Sequence, residues 1–384
     1  MIKVGMIVSL RGTWHGGVNY FKNLLNCYQK NPDPDLKLDV FTPDPVDALC
    51  YKSEMINIHP WPVMTVRRVR EYPRRAARRV LGYDPVFVRL LERNKVNLLT
   101  YNSLGKQTSI NTLHWQPDFQ HKRLPQFFSL EECKARDAAV ADVLRWGNIL
   151  LSSNAAAGDF RRYYPELSSV QAHVLRFSTA GILDVPPLGR EELEAQYPVR
   201  EPYFFLPNQF WQHKNHAVVV EALRRTSPEI RVVCTGSMQD YRDAVYVPAL
   251  LEKVKQAGLE QRFVCLGNVP YPVAISLMHH SIAVVQPSLF EGWSTTVEES
   301  KAMRKQIILS NIDVHVEQAP QRGVYFSPDS PEELAVCLTR VHAEFDPTIE
   351  RRFAEQRLQG KPEIERGWIG DFARIMKMVA AARR

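Results

Sequence analysis

The sequence predicts an α/β protein of two domains, each a mostly parallel sheet covered on both faces by helices. Three observations carry this. Short apolar segments such as IKVGMIVSL, LKLDVFTP, YFFLPN and IRVVCTGS alternate with helical stretches, the pattern of buried parallel strands joined by crossover helices. The chain has 384 residues, 45% hydrophobic and 24% charged, enough for each half to bury its own core. Between the two runs lies the polar, proline-containing stretch GREELEAQYPVREP, where we place a boundary near residue 195.

In chain order, the first half opens with the strand IKVGMIVSL. The glycine-rich loop RGTWHGG then leads into a helix over roughly 18–29. LKLDVFTP, VNLLTYN and TSINTLH read as the next strands, 130–144 as a helix, and NILLSSNAAAGDFRRYY as a strand followed by a helix. The second half supplies the strands YFFLPN, IRVVCTGS, RFVCLGNV, IAVVQPS and KQIILSN. Helices are expected at 216–225, 247–257, 271–279 and 296–303. The tail RGWIGDFARIMKMVAAARR is an amphipathic helix expected to pack back on the first domain. The expected limits are thus 1–195, 196–365 and 366–384. Two such sheets place the best-supplied site in the cleft between them, at the carboxyl ends of the strands.

Composition excludes several classes. Cys27, Cys50, Cys133, Cys234, Cys265 and Cys337 form no CxxC pair and no cluster, which argues against a disulfide framework or zinc knuckle and for a reducing compartment. The opening apolar run suits a buried strand and is too short for a membrane span, so a soluble, cytoplasmic protein is expected. Net charge is +7, and the segment from Trp61 to Val96 alone has ten basic and three acidic residues (Glu71, Asp84, Glu92). Its core holds Arg67, Arg68, Arg70, Arg74, Arg75, Arg78 and Arg79, with Pro73 dividing two short helices. One reading is a solvated face; the other is a peripheral, salt-sensitive contact with anionic membrane at the inner face of the cytoplasmic membrane. With no interleaved aromatic platform, nucleic acid is not expected as a partner.

Chemistry-bearing residues fall in the turns after strands. Gly12, Gly16 and Gly17 lie between the first strand and its helix, where glycine permits close approach of a phosphate; an ordinary tight turn is the alternative. The stretch HWQPDFQHKRLPQFF gathers His114, Asp118, Gln120, His121, Lys122 and Arg123, groups that bind hydroxyls, move a proton or merely cap the next helix. His114 and His121 are seven residues apart with no second acidic cluster, so no metal site is expected. In PNQFWQHKNH, Lys214 is placed to meet a diphosphate, and Asn215 and the following helix start add donors. Gly236 with Ser237, and Gly267 with Asn268 and Val269, form two further turns able to hold a base and ribose by backbone. PSLFEGWSTTVEES is the most specific piece. Glu291 and Gly292 lie in a loop, Trp293 follows, Ser294, Thr295 and Thr296 are N-cap candidates, and Glu299 stands eight residues after Glu291 on the next helix.

With these motifs the chain resembles the retaining glycosyltransferases of family 4, most strongly over 203–338. The resemblance implies the GT-B architecture, two Rossmann-like domains facing across a cleft. That family's Glu-x7-Glu motif, usually EGFGLPxxEA, is similar to Glu291-Gly292-Trp293-Ser294-Thr295-Thr296-Val297-Glu298-Glu299-Ser300, with Ser294 replacing glycine and Thr296 proline. It implies that Glu291 contacts the donor sugar and Glu299 the ribose. Lys214 fits the family's diphosphate lysine, while Gln209 stands where the family carries arginine; Lys214, backbone amides, Gly16, Gly17 and Arg11 are then the candidates for the leaving diphosphate. The family's first-domain His-Asp aligns with Pro117-Asp118, leaving His114 and His121 as substitutes. The implied activity is metal-independent, retaining transfer of a hexose, mannose among the candidates, from a GDP- or UDP-sugar to a hydroxyl of a glycan or lipid-linked acceptor, in polysaccharide or lipopolysaccharide biosynthesis. No cofactor beyond the nucleotide-sugar donor is implied. The rival readings on the same architecture are a sugar-nucleotide 2-epimerase and a non-catalytic nucleotide-sugar-binding protein.

Overall fold

A computed structural model describes residues 1–11, 15–61, 80–102, 104, 110–144 and 147–382. The arginines from Arg67 to Arg79, expected to meet anionic lipid, lie outside these residues, as does Gly12. The chain forms two compact units. The first comprises 1–119, 130–177 and 362–384, the second 120–129 and 178–361. The chain therefore passes between units at 119/120, 129/130, 177/178 and 361/362, whereas the sequence suggested limits near 195 and 365 alone.

Among the described residues, the first unit is built on seven strands: β1 (Ile2–Ile7), β2 (Leu36–Thr42), β3 (Ile56–Pro60), β4 (Leu98–Thr100), β5 (Asn111–Gln116), β6 (Asn148–Leu151) and β7 (Gln171–Val174). Their order is β3-β2-β1-β4-β5-β6-β7 and every pairing is parallel. β1 lies between β2 and β4, so the direction of winding reverses beside it, as in a doubly wound sheet. Interior strands such as β1 and β2 are largely buried because helices cover both faces; Val4, Met6, Leu36, Leu38 and Val40 are fully buried.

The tail forms the helix Lys361–Ala381, and its register explains its docking. Trp368, Ile369, Phe372, Ala373, Met376 and Val379 recur at helical spacing and are buried in one cluster with Val4, Met6, Leu24 and Tyr28 of the first unit. Phe372 meets Tyr28 edge-on with centroids 6.1 Å apart. The Asn111 amide donates to Val379 O at 3.0 Å, satisfying a carbonyl near the helix end. Phe372→Ala should destabilise the first unit by roughly 3–5 kcal/mol, whereas Met378→Ala, on the exposed side of the same helix, should stay within about 0.5 kcal/mol. Denaturant unfolding of the two variants checks this.

The second unit has six parallel strands: β8 (Phe204–Leu206), β9 (Val232–Cys234), β10 (Phe263–Cys265), β11 (Val284–Gln286), β12 (Ile307–Ser310) and β13 (Gly323–Phe326). Their order is β10-β9-β8-β11-β12-β13. The reversal falls between β8 and β11, and the loops leaving their carboxyl ends carry Lys214 and Glu291. All residues of β8, β9, β11 and β12 are buried. Among the described residues no helix is long and apolar enough to cross a membrane.

Candidate functional site

The sequence places Lys214 and Glu291 in separate turns; the fold of the second unit brings them together. After β8 the chain makes a short 3-10 turn, Gln212–Lys214, and enters the helix His216–Leu223 through Asn215 at φ 58°. Asparagine tolerates this left-handed conformation better than most residues. Its amide donates to Pro287 O at 3.2 Å and Pro328 O at 2.9 Å, so Asn215 ties the turn to two other loops. His216 stacks on Phe210 with centroids 4.2 Å apart, which fixes the start of the helix. Leu289 N donates to His213 O at 2.8 Å, joining the loop after β11 to the lysine turn.

Lys214 Nζ consequently reaches Glu291 Oε1 at 2.6 Å. The same oxygen accepts from Ser288 Oγ at 2.7 Å and Gln286 Nε2 at 3.1 Å. Three donors on one oxygen hold the carboxylate in a single orientation, with both members of the ion pair mostly buried. Gln286 is itself held: its Nε2 donates to Ser294 Oγ at 2.8 Å, and its Oε1 accepts from the Asn208 amide. Ser294 caps the helix Thr295–Ala302, accepting from Val297 N. Gln318 supports the same corner, accepting from Ser294 N at 3.2 Å and donating to Ser294 O at 3.0 Å and Glu298 Oε1 at 2.9 Å.

Glu299 lies on that helix and accepts from Tyr271 Oη at 2.9 Å. Burial pushes its carboxyl up to about 7, a rise only partly opposed by the tyrosine hydrogen bond. The histidines packed around the lysine turn are depressed instead, all chiefly by burial: His213 well below its ordinary value, His315 to about 4 and His216 to about 3. They are neutral at physiological pH.

The two glycine turns are joined to this site. Gly236 has φ 133°, and a Cβ there would stand 2.4 Å from Asn208 O, so only glycine fits. Its N–H donates to Gly267 O at 2.9 Å. Ser237 N donates to Gln209 Oε1 at 2.8 Å, and Phe210 N to Ser237 O at 3.0 Å. Gln209, at the expected arginine position, thus braces the Ser237 turn. Asn268 is exposed and Val269 half-buried beyond the Gly267 turn. Gly292 follows Glu291 in its loop. Trp293 is mostly buried, with Lys301 Nζ 6.0 Å from its ring centroid, and Thr295 opens the helix.

The remaining candidates are placed elsewhere. Gly16 and Gly17 belong to the first turn of the helix His15–Lys30 rather than to a preceding loop. Arg11 is ion-paired with Asp47. His114 lies in β5 of the first unit, its Nδ1 buried without a hydrogen-bond partner and its ring lowered to about 4 by burial. Asp118 also belongs to the first unit, and its carbonyl accepts from Gln116 Nε2 at 2.6 Å. His121 belongs to the second unit, buried edge-on to Phe128. Sequence reasoning missed Gln286, Ser288, Gln318 and Tyr271. Gln286 was detectable as an amide ending an apolar strand; Gln318 lies 24 residues from Ser294 and gave no local sign.

Residues 190–346 match the family model described as "Glycosyl transferases group 1". No curated protein matches the chain. Among solved structures, the whole chain is similar in fold to a glycosyltransferase from Rickettsia africae, at 14% identity and TM-score 0.70, covering 100% of this chain and 99% of that one. Sucrose-phosphate synthase from Thermosynechococcus elongatus is similar at 16% identity and TM-score 0.69, with 100% of both chains covered. So is Anabaena HepE, solved in complex with UDP and glucose, at 13% identity and TM-score 0.66 with the same coverage. At such identities the likeness speaks for the fold. The chain has the GT-B fold, and its residues 190–346 are similar to the glycosyl transferases of group 1.

Proposed function

We propose that the protein is a glycosyltransferase that moves a hexose from a nucleoside diphosphate sugar to a hydroxyl of a glycan or lipid-linked acceptor, with retention at the anomeric carbon. The observation that carries this reading is the Lys214–Glu291 pair, braced by Gln286 and Ser288, in the segment similar to group 1 glycosyl transferases. UDP and glucose in a protein of the same fold support a nucleotide-sugar donor.

In this reading the Gly236 and Gly267 turns hold base and ribose by backbone, and Glu299 accepts from the ribose hydroxyls. Glu291 orients the hexose. As the anomeric C–O bond breaks, its electron pair goes to the β-phosphate oxygen, where Lys214 and the backbone amides nearby stabilise the growing charge. The departing oxygen takes the acceptor's proton, so the incoming hydroxyl needs orientation more than a strong base. No step requires a metal. An acceptor in polysaccharide or lipopolysaccharide assembly, a cytoplasmic site of action and a salt-sensitive contact of Arg67–Arg79 with anionic membrane belong to the same proposal.

Calorimetric titration with UDP, GDP and their hexose conjugates tests it. Binding of one nucleotide series, with release of its diphosphate when acceptor is added, is the expected result. Absence of binding to any of them would overturn the reading, and conversion of the donor without acceptor would point to an epimerase.

A further inference from the structure

Lys214 is already paired with Glu291, so a multiply anionic diphosphate calls for further donors at this rim. A second cation belongs to a turn that is hydrogen-bonded to the lysine turn. Arg242 follows the Gly236 turn, and the buried carboxylate of Asp240 links it to the lysine turn: Oδ2 accepts from Gln212 N at 2.8 Å, Oδ1 from Arg242 N at 3.0 Å. His213 lies within the field of both cations; after burial, Lys214 and then Arg242 depress it most. The Arg242 guanidinium packs over the rings of Phe128 and Tyr241, its carbon 4.2 and 4.8 Å from their centroids. Two aromatic faces restrict its orientation. Its Nε is buried with no hydrogen-bond partner. A buried charged donor left unpaired is costly unless a ligand completes it.

We propose that Arg242 supplies the second positive charge for the donor's diphosphate, reaching it through guanidinium hydrogen bonds while Phe128 and Tyr241 keep the fork oriented. This rests on the nucleotide-sugar reading of the site. A planar, permanently charged fork suits phosphate oxygens better than a second lysine, and a charge fixed before bond breaking stabilises the leaving group with little reorganisation.

Calorimetry on wild type, Arg242→Gln and Arg242→Lys, with UDP, GDP, uridine and guanosine as probes, tests this. In Arg242→Gln the affinity for the bound nucleoside diphosphate should fall about ten- to hundredfold, that for the matching nucleoside should change less than twofold, and Arg242→Lys should recover part of the loss. The salt dependence of diphosphate binding should also be shallower in Arg242→Gln. Unchanged diphosphate affinity in Arg242→Gln, or equal losses for diphosphate and nucleoside, would overturn the proposal in favour of a purely structural stacking role. Wild-type protein that binds neither UDP nor GDP would overturn the nucleotide-sugar reading itself, and this inference with it.

Discussion

Glu291→Ala should lower the transfer rate by about 10²–10³-fold at saturating donor and acceptor, while leaving nucleoside diphosphate binding intact or tighter. The two effects diverge because one oxygen of Glu291 accepts from Lys214, Ser288 and Gln286 together. Removing the carboxylate deletes the group assigned to the sugar and releases the Lys214 ammonium toward the diphosphate. Lys214→Ala should do the reverse to binding and weaken it. Initial rates combined with calorimetry on both single variants and the double variant measure the coupling. Rates within threefold of wild type for Glu291→Ala would remove this residue from the chemistry. Loss of diphosphate binding in Glu291→Ala would show that the pair acts as one binding unit.

Donor affinity should rise with pH between 6 and 8, by roughly tenfold, and level off above. Burial pushes Glu299 up to about 7, so near pH 6 about nine-tenths of the protein carries the neutral acid, and apparent affinity falls with the competent fraction. Ribose hydroxyls donate most strongly to the ionised carboxylate, so binding below pH 7 should release a proton. The neighbouring histidines His213, His216 and His315 are depressed and already neutral in this window. The sign for folding is opposite: a carboxyl raised on folding costs stability as pH climbs from its unfolded value toward 7. Titration with a UDP- or GDP-hexose, whose diphosphate does not titrate in this range, in buffers of different ionisation enthalpy reads both affinity and proton release. Glu299→Gln should flatten the pH response. An equally steep response in Glu299→Gln would assign it to another group.

Much of this fold is legible in the amino-acid sequence, and the exceptions share a cause. The strands the sequence predicts, from β1, β2, β4, β5 and β6 to β8 through β12, are mostly interior, and burial on both faces writes itself into the chain as short continuous apolar runs. The strands it does not reveal are β3, β7 and β13, three of the sheet edges. Their sequences INIHP, QAHV and GVYF carry polar or partly exposed residues, because an edge strand is half solvated and its pattern resembles a loop.

At the candidate site, local pattern predicts Lys214 and Glu291 in turns and Glu299 on a helix, and the structure has them there. Their partnerships are a different matter. Lys214 meets Glu291 across 77 residues, Tyr271 meets Glu299 across 28, and Asp240 reaches Gln212 N across 28. The sequence leaves Lys214 free to meet a phosphate, whereas the fold pairs it with Glu291 and ties its turn to that of Arg242 through Asp240. A segment's composition records whether it is buried and which way its backbone turns; it does not record which distant segment it will face. That choice is made when parallel strands pair and their carboxyl-end loops converge, so the residue types were settled locally and the charge balance of the site by tertiary contact.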